Sequence, residues 1–320
     1  MRHPHIRIVA AGLSCVSVLI AHSACSQTYP VKSVRVLVSP AGGGNDFVAR
    51  VIGPGLSATL GQQVVIDNRP TRTLPDVMTK SAPDGYTLMI MSAGLWLFPF
   101  MAKVDYDMTR DFAPISLAVK SPNVLVVHPS LPVKSAKELI ALAKARPGQI
   151  NYSVGGLGGM SHLSVELFKT MAGINMTMVN YRSGSQETAD LVGGQVQLAF
   201  NPAGSASGYV KSGRLRGVAV TTAEPSALFP NLPTVAASGL PGYEAVSTYG
   251  VFAPAKTPEV IIRRINQDVV RFVNLPEARE RLAAGGTEPA GTTPEAFAAV
   301  IISDMAKWGK VIRDAGIRDE

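Results

Sequence analysis

The chain has 320 residues, 46% of them hydrophobic and 17% charged, a globular composition with room for two domains and too little charge for a disordered one. Its net charge of +7 comes without any block of five basic residues, which argues against a nucleic-acid surface and fits a bias toward small anions. Both of its cysteines, Cys15 and Cys25, lie at the start, so the body of the chain has no disulfide or thiolate metal site.

Arg2 and Arg7 precede an uncharged apolar run from Ile8 to Ile20. A membrane span needs about 20 apolar residues, and this run is shorter. Ala24-Cys25-Ser26 then offers a cleavage site before Gln27, so residues 1–26 read as a secretory signal peptide. The alternative is a lipoprotein acylated at Cys25, but His22 stands where a leucine is usual. Cleavage removes His3, His5 and His22 and leaves His128 and His162, too few for a histidine-based zinc site. It also lowers the net charge to +5, with 28 basic against 23 acidic side chains.

Val34, Val36 and Val38 then form a buried strand, ended by Pro40 and the glycines Gly42, Gly43 and Gly44. Asn45 or Asp46 caps a helix carrying Phe47, Val48, Val51 and Ile52. A glycine loop between a strand end and a helix start suits an anion, which meets free N–H groups and the positive end of the helix dipole. Strands follow at Gln63 to Asp67 and Tyr86 to Met91, with a loop or at most a short helix from Thr71 to Pro83. Leu95 to Phe100 is apolar and either buried or lining a pocket.

Val124 to Val127 is a strand, and Ser135 with Glu138 forms a capping box for a helix through Ala145. Ile150 to Ser153 leads into a second glycine loop, Gly155 to Gly159, and a helix from Ser161 to Met171. Strand-and-helix pairs repeat through Met176 to Tyr181, Ser183 to Leu191, Gln197 to Phe200 and Leu215 to Thr221. Tyr249 to Ala253 is a last strand. The tail is helical over Pro258 to Val273, Pro276 to Ala284 and Pro294 to Ala315, each helix opening with proline. This alternation predicts an α/β fold of two parallel-sheet domains around a ligand cleft. The tail packs back on the first domain, and two segments cross, near Pro114 to Asn123 and Ala245 to Val251. The predicted division is residues 27–122 with 246–320 for domain 1 and residues 123–245 for domain 2.

No catalytic signature appears: no Gly-x-Ser-x-Gly elbow, no phosphate-loop Gly-Lys-Ser/Thr, no His-Glu-x-x-His. His162 opens a helix after a glycine loop and fits a base, though such a histidine more commonly caps or packs. What recurs is strand-end loops rich in Gly, Ser and Asn, at Ser39 to Asn45, Ser92 to Gly94, Val154 to Gly159, Ser183 to Ser185 and Asn201 to Ser205. Facing one another, they surround an anion without a nucleophile, a binding site that requires no cofactor or metal.

At this point the chain resembles the periplasmic solute receptors of tripartite tricarboxylate transporters, the Bug proteins. The resemblance rests on Tyr29-Pro30, Pro-Ala-Gly-Gly-Gly-Asn-Asp (40–46), Asp-Asn-Arg-Pro (67–70), Pro-Asp-Gly-Tyr-Thr-Leu (83–88), Arg-Asp-Phe-Ala-Pro (110–114), Ser-His-Leu (161–163), Gly-Gly-Gln-Val-Gln (193–197), Leu-Pro-Thr-Val (232–235), Gly-Val-Phe-Ala-Pro (250–254) and Lys-Trp-Gly-Lys-Val-Ile (307–312). It implies a type II periplasmic-binding fold and a monomeric periplasmic receptor that holds a small organic carboxylate and delivers it to a two-component membrane permease. A ligand-presenting sensor subunit is the alternative, and a secreted α/β enzyme a weaker one. The implied ligand contacts are Ser39, Ala41, Gly43, Gly44 and Asp46 in the first loop, then Ser92 and Ala93, Gly156, Gly158 and His162, Gly184 and Ser185, and Asn201.

Three positions depart from the family pattern. Thr71-Arg72-Thr73-Leu74 replaces a glycine-rich loop, Asn201 replaces a frequent aspartate, and Trp96 replaces a polar residue. From these, the expected ligand has an apolar body and no ammonium group, for instance an aromatic dicarboxylate such as terephthalate. Its ring would lie on Trp96, one carboxylate would sit in the glycine loops, held by the N–H groups of Gly43, Gly44 and Gly158, and the other would meet Arg72; the equal alternative is that Trp96 packs in the core and Arg72 is solvated.

Overall fold

The computed structural model describes residues 29–181 and 184–318. The signal segment expected over residues 1–26 lies outside the described residues, as does Ser183.

The first half opens as the apolar alternation dictates. Val34–Val38 forms β1, Val64–Asn68 β2 and Thr87–Ser92 β3, three parallel strands in which Val36 pairs with both Ile66 and Leu88. Helix α1, Gly44–Leu60, joins β1 to β2 and buries Val48, Val51, Ile52 and Leu56. Gly61, with φ 67°, ends it in the left-handed conformation that glycine adopts without strain. The segment expected as loop contains a 3₁₀ turn at Thr71–Thr73 and a short α2, Leu74–Thr79. The short α3, Gly94–Leu97, and α4, Met108–Asp111, follow β3.

Next comes β4, Phe112–Val127, a single strand of 16 residues. Helix α5, Ala136–Ala145, has its Ser135 cap, whose Oγ accepts from the Glu138 N–H. The second half continues with β5 (Asn151–Val154), α6 (Met160–Ala172), β6 (Thr177–Asn180), α7 (Gly184–Val192), β7 (Leu198–Pro202), α8 (Ala203–Lys211) and β8 (Arg216–Val220). The chain then returns through β9 (Val246–Pro254) to α9 (Glu259–Val273), α10 (Pro276–Ala284), β10 (Glu288–Pro289) and α11 (Pro294–Asp314).

The strand order is β2-β1-β3-β9-β4-β7-β5-β6, with β8 and β10 also pairing to β4. Parallel pairing holds at the two ends of this path, β2-β1-β3 and β7-β5-β6. The middle is antiparallel: β9 runs against both β3 and β4, and β4 against β7 and β8. Along β4, Phe112 to Pro122 pairs with β9, and Asn123 to Val127 pairs with β7. The crossing segments are therefore two paired strands rather than loose connections. Helix α9 packs on α1 and β4, and α11 on β4 and α3, so the tail covers the first half.

Candidate functional site

The first glycine loop is built around Asp46. Gly42, at φ 87°, donates its N–H to Asp46 Oδ2 at 3.0 Å. The same carboxylate accepts from Arg50 Nε at 2.9 Å and from Asn68 Nδ2 at 2.9 Å. The Arg50 bond, helped by Gly42 and Asn68, holds the Asp46 carboxyl down at about 2. Asp46 is buried and fully engaged, so it shapes the loop instead of contacting a ligand. Ser39 is likewise buried, its Oγ accepting from Asn45 Nδ2 at 3.1 Å.

Helix α1 starts at Gly43 with no side-chain cap among the described residues, while Ala41, Gly43 and Gly44 are exposed. The first-turn amides of a helix have no intrahelical partner, so this end faces outward ready for an anion. Gly44 is glycine because a Cβ there would lie 2.3 Å from Tyr249 Oη.

Beside this loop lies a cavity of about 490 Å³. Met91, Leu95, Phe98, Val104 and Tyr106 give it an apolar wall; Asn45 and Ser92 bring polar atoms to it, and its charged lining is balanced, Arg72 and Lys103 against Asp76 and Asp105. The Arg72 guanidinium lies over the Phe98 ring at 5.3 Å. Of the expected contacts the cavity gathers Arg72 and Ser92, and it adds Asn45, Phe98 and Lys103. Asn45 Oδ1 is buried without a partner among the described residues. Ala93 is buried and its N–H is bonded to the Thr248 carbonyl.

Trp96 is a correction. It is 0% exposed, packed against Phe252 and Phe297, with Nε1 donating to Asp304 Oδ2 at 3.2 Å. No ring can lie on it; the aromatic residues of the cavity are Phe98 and Tyr106.

The second glycine loop also differs from expectation. The Gly158 N–H donates to His162 Nδ1 at 3.1 Å, so it is taken and not free for a carboxylate. His162 is buried and its pKa is lowered by desolvation, against an upward pull from Glu166. With Glu166 Oε1 3.8 Å from Nε2, the pair is a neutral imidazole beside a carboxylate rather than an ion pair. His162 therefore clamps the loop, as the packing alternative anticipated. A Cβ on Gly158 would lie 2.3 Å from Met101 Sδ, which shows this loop reaching the first half just before Lys103. Gly156 is exposed, and α6 starts at Gly159 without a side-chain cap among the described residues.

Gly184 and Ser185 open α7 and line a separate groove of about 510 Å³ with Ser205, Tyr209 and Arg214. Asn201 is buried near the end of β7, opposite Val124. The sequence reading passed over Glu187, a buried carboxyl in the first turn of α7 whose Oε1 accepts from Ser153 Oγ at 3.0 Å. Burial pushes its pKa up and the Ser153 bond partly offsets that. An acid in a helix's first turn ordinarily reads as a solvated partner of the dipole, so only its packing reveals it. The expectation that the ligand lacks an ammonium rested on the neutral Asn201; Glu187 is a second-half carboxyl that it did not weigh.

Two α/β halves joined by crossing strands, with uncapped helix starts at the strand ends, define a periplasmic-binding-protein fold. Residues 48–317 match the tripartite tricarboxylate transporter family receptor, and the chain belongs to that family. Its members are solute-binding receptors, not enzymes. The chain is 32% identical to protein BugT of Bordetella pertussis, over 97% of this chain and 98% of that one. Among solved structures it is similar to R. palustris Rpa4515 with adipate, with TM-score 0.76 and 35% identity over 91% of this chain and 99% of the other. MatC (Rpa3494) from Rhodopseudomonas palustris with bound malate gives TM-score 0.70 and 28% identity over 89% of this chain and 100% of the other.

Proposed function

We propose that this receptor captures an organic carboxylate with an apolar body and hands it to a two-component membrane permease. The observation that carries this reading is the cavity of about 490 Å³ beside the uncapped start of α1: an apolar wall ending in Phe98, with Arg72 and Lys103 among its lining residues beside Asp76, which Lys80 neutralises, and Asp105. One carboxylate lies against the first-turn amides of α1, and the body fills the cavity. A second carboxylate meets the two cations. Terephthalate and adipate both have that form, and the likeness to Rpa4515 with adipate supports the class. In this reading the protein works as a monomer in the periplasm. Residues 1–26 are its cleaved signal, and its two domains, residues 27–122 with 246–320 and residues 123–245, close on the ligand.

The test is a thermal-shift screen followed by calorimetry on mature protein with adipate, terephthalate, malate, citrate and aspartate. Ligand at about 100-fold its Kd adds about 2.7 kcal/mol of stability. Adipate or terephthalate is expected to bind more tightly than citrate. Tight citrate binding with no response to adipate or terephthalate contradicts the apolar-body reading, and silence across the panel contradicts carboxylate capture.

A further inference from the structure

Glu187 is 7% exposed, and among the described residues only its Oε1 has a hydrogen-bond partner. Oε1 accepts from Ser153 Oγ; Oε2 has no hydrogen-bond partner among the described residues, and no Lys, Arg or His among them pairs with the carboxyl. Two glycines converge on it. A Cβ on Gly155 would lie 2.5 Å from Oε2 and 3.7 Å from the Gly184 Cα. The missing side chain at Gly155, an exposed residue, is what leaves Oε2 uncovered.

The place in the fold gives this a direction. Gly155 follows the carboxyl end of β5, and α7 begins after the carboxyl end of its parallel neighbour β6. Ligands of open α/β sheets bind beyond such strand ends. Three residues further along the same loop, Gly158 touches Met101 of the first half, beside the wall of the cavity. An oxygen left uncovered at such a place can exchange water for a donor carried by a ligand. Burial shifts this carboxyl toward its protonated form, and a cation arriving with the ligand would pull it back.

We propose that Glu187 Oε2 receives a hydrogen-bond donor, an ammonium or a hydroxyl, carried by the ligand near its carboxylate, so that Glu187 selects a substituted over a plain carboxylate. This rests on the reading that the site takes an organic carboxylate. Gly155 is the positioning residue that keeps the oxygen accessible.

The experiment is calorimetry on wild type, Glu187→Gln and Gly155→Ala, in two buffers of different ionisation enthalpy. The ligands are adipate, 2-aminoadipate and 2-hydroxyadipate, with terephthalate and its 2-amino and 2-hydroxy derivatives as a second series. A hydrogen bond to a charged group corresponds to a preference of about tenfold or more. Wild type is expected to show that preference for at least one substituted acid over its parent. Glu187→Gln keeps the Ser153 bond on its own oxygen and presents an N–H where Oε2 stood, so the preference should fall to about one while the parent acid still binds. Gly155→Ala should do the same by covering Oε2. If it does not fold, Glu187→Gln decides. Equal binding of parent and substituted acids by wild type overturns the proposal. So does binding of the parent with uptake of a proton that Glu187→Gln does not show, because the donor is then the carboxyl's own proton. If a parent acid binds and the preference is missing, only this inference fails. If no acid in either series or among the five carboxylates of the first screen binds, the carboxylate reading fails and takes this inference with it.

Discussion

Trp96 lies with its ring centroid 6.1 Å from that of Phe252 and 5.9 Å from that of Phe297. Truncating such a side chain leaves a cavity, so Trp96→Ala should cost about 3–5 kcal/mol in urea unfolding. Trp96→Phe keeps most of the packing but removes the donor to Asp304, a half-buried carboxyl whose pKa desolvation raises; it should cost about 1–3 kcal/mol and leave ligand affinity unchanged. A large affinity loss in Trp96→Phe would return Trp96 to the site. His162 gives the pH dependence. Its folded pKa lies below the ordinary 6.5, so the neutral form contributes stability that is present above that value and lost as pH falls through the depressed one. Protonation also turns Nδ1 into a donor facing the Gly158 N–H. The melting temperature should therefore fall between about pH 7 and 5, and less so in His162→Asn, which cannot titrate there. At this scale the sequence showed Arg72 and Ser92 at the cavity and misjudged Trp96. Helical geometry explains the difference. Leu95 and Phe98, three residues apart, share the cavity side, and Trp96, about 100° further round, turns into the core.

Helix starts divide the elements into two sets. Asp107, Ser135 and Thr293 cap α4, α5 and α11 with their side chains. Helices α1, α6 and α8, each following a strand end, start at Gly43, Gly159 and Pro202 with no side-chain cap among the described residues. The tail helices α9 and α10 lack one too, so the pattern identifies the cleft only together with the strand ends. Gly43 has extended dihedrals, φ −87° and ψ 171°, that a serine adopts without strain. Gly43→Ser should therefore stabilise α1 by a few tenths of a kcal/mol in urea unfolding and weaken carboxylate binding, since its Oγ occupies the amides. Unchanged affinity, with the stability gain present, takes α1 out of the site. The glycine loops and most strands were legible because alternation and glycine report local geometry directly. β4 was not: the sequence marked only Val124 to Val127 as strand and Pro114 to Asn123 as a segment crossing between domains. Pro114 sits where the register with β9 shifts, before Ser116, a position that tolerates the missing N–H. Its partner β9 arrives from over a hundred residues away, and local pattern carries no record of that.

At the scale of the molecule the halves touch beyond the shared strands. Gly158 meets Met101, and Gly204 at the start of α8 meets Gly286, where a Cβ would lie 2.0 Å from the Gly204 nitrogen. Close approaches of backbone such as these can open and shut as units around a hinge. Small-angle scattering should show a smaller radius of gyration when a ligand from the panel is added, and an identical radius with and without it would contradict closure. The position of β9 has one more consequence, for the order in which the molecule comes together. It lies between β3 and β4, yet it is made only after the whole second half. An emerging chain that ends before Val246 lacks the central strand of its first sheet, and β3 and the first part of β4 have no neighbour to join them. The second half is contiguous and assembles from nearby partners; the first must wait, its apolar strands exposed, for the tail to return. A chain built this way closes its first sheet only when nearly all of it has been made.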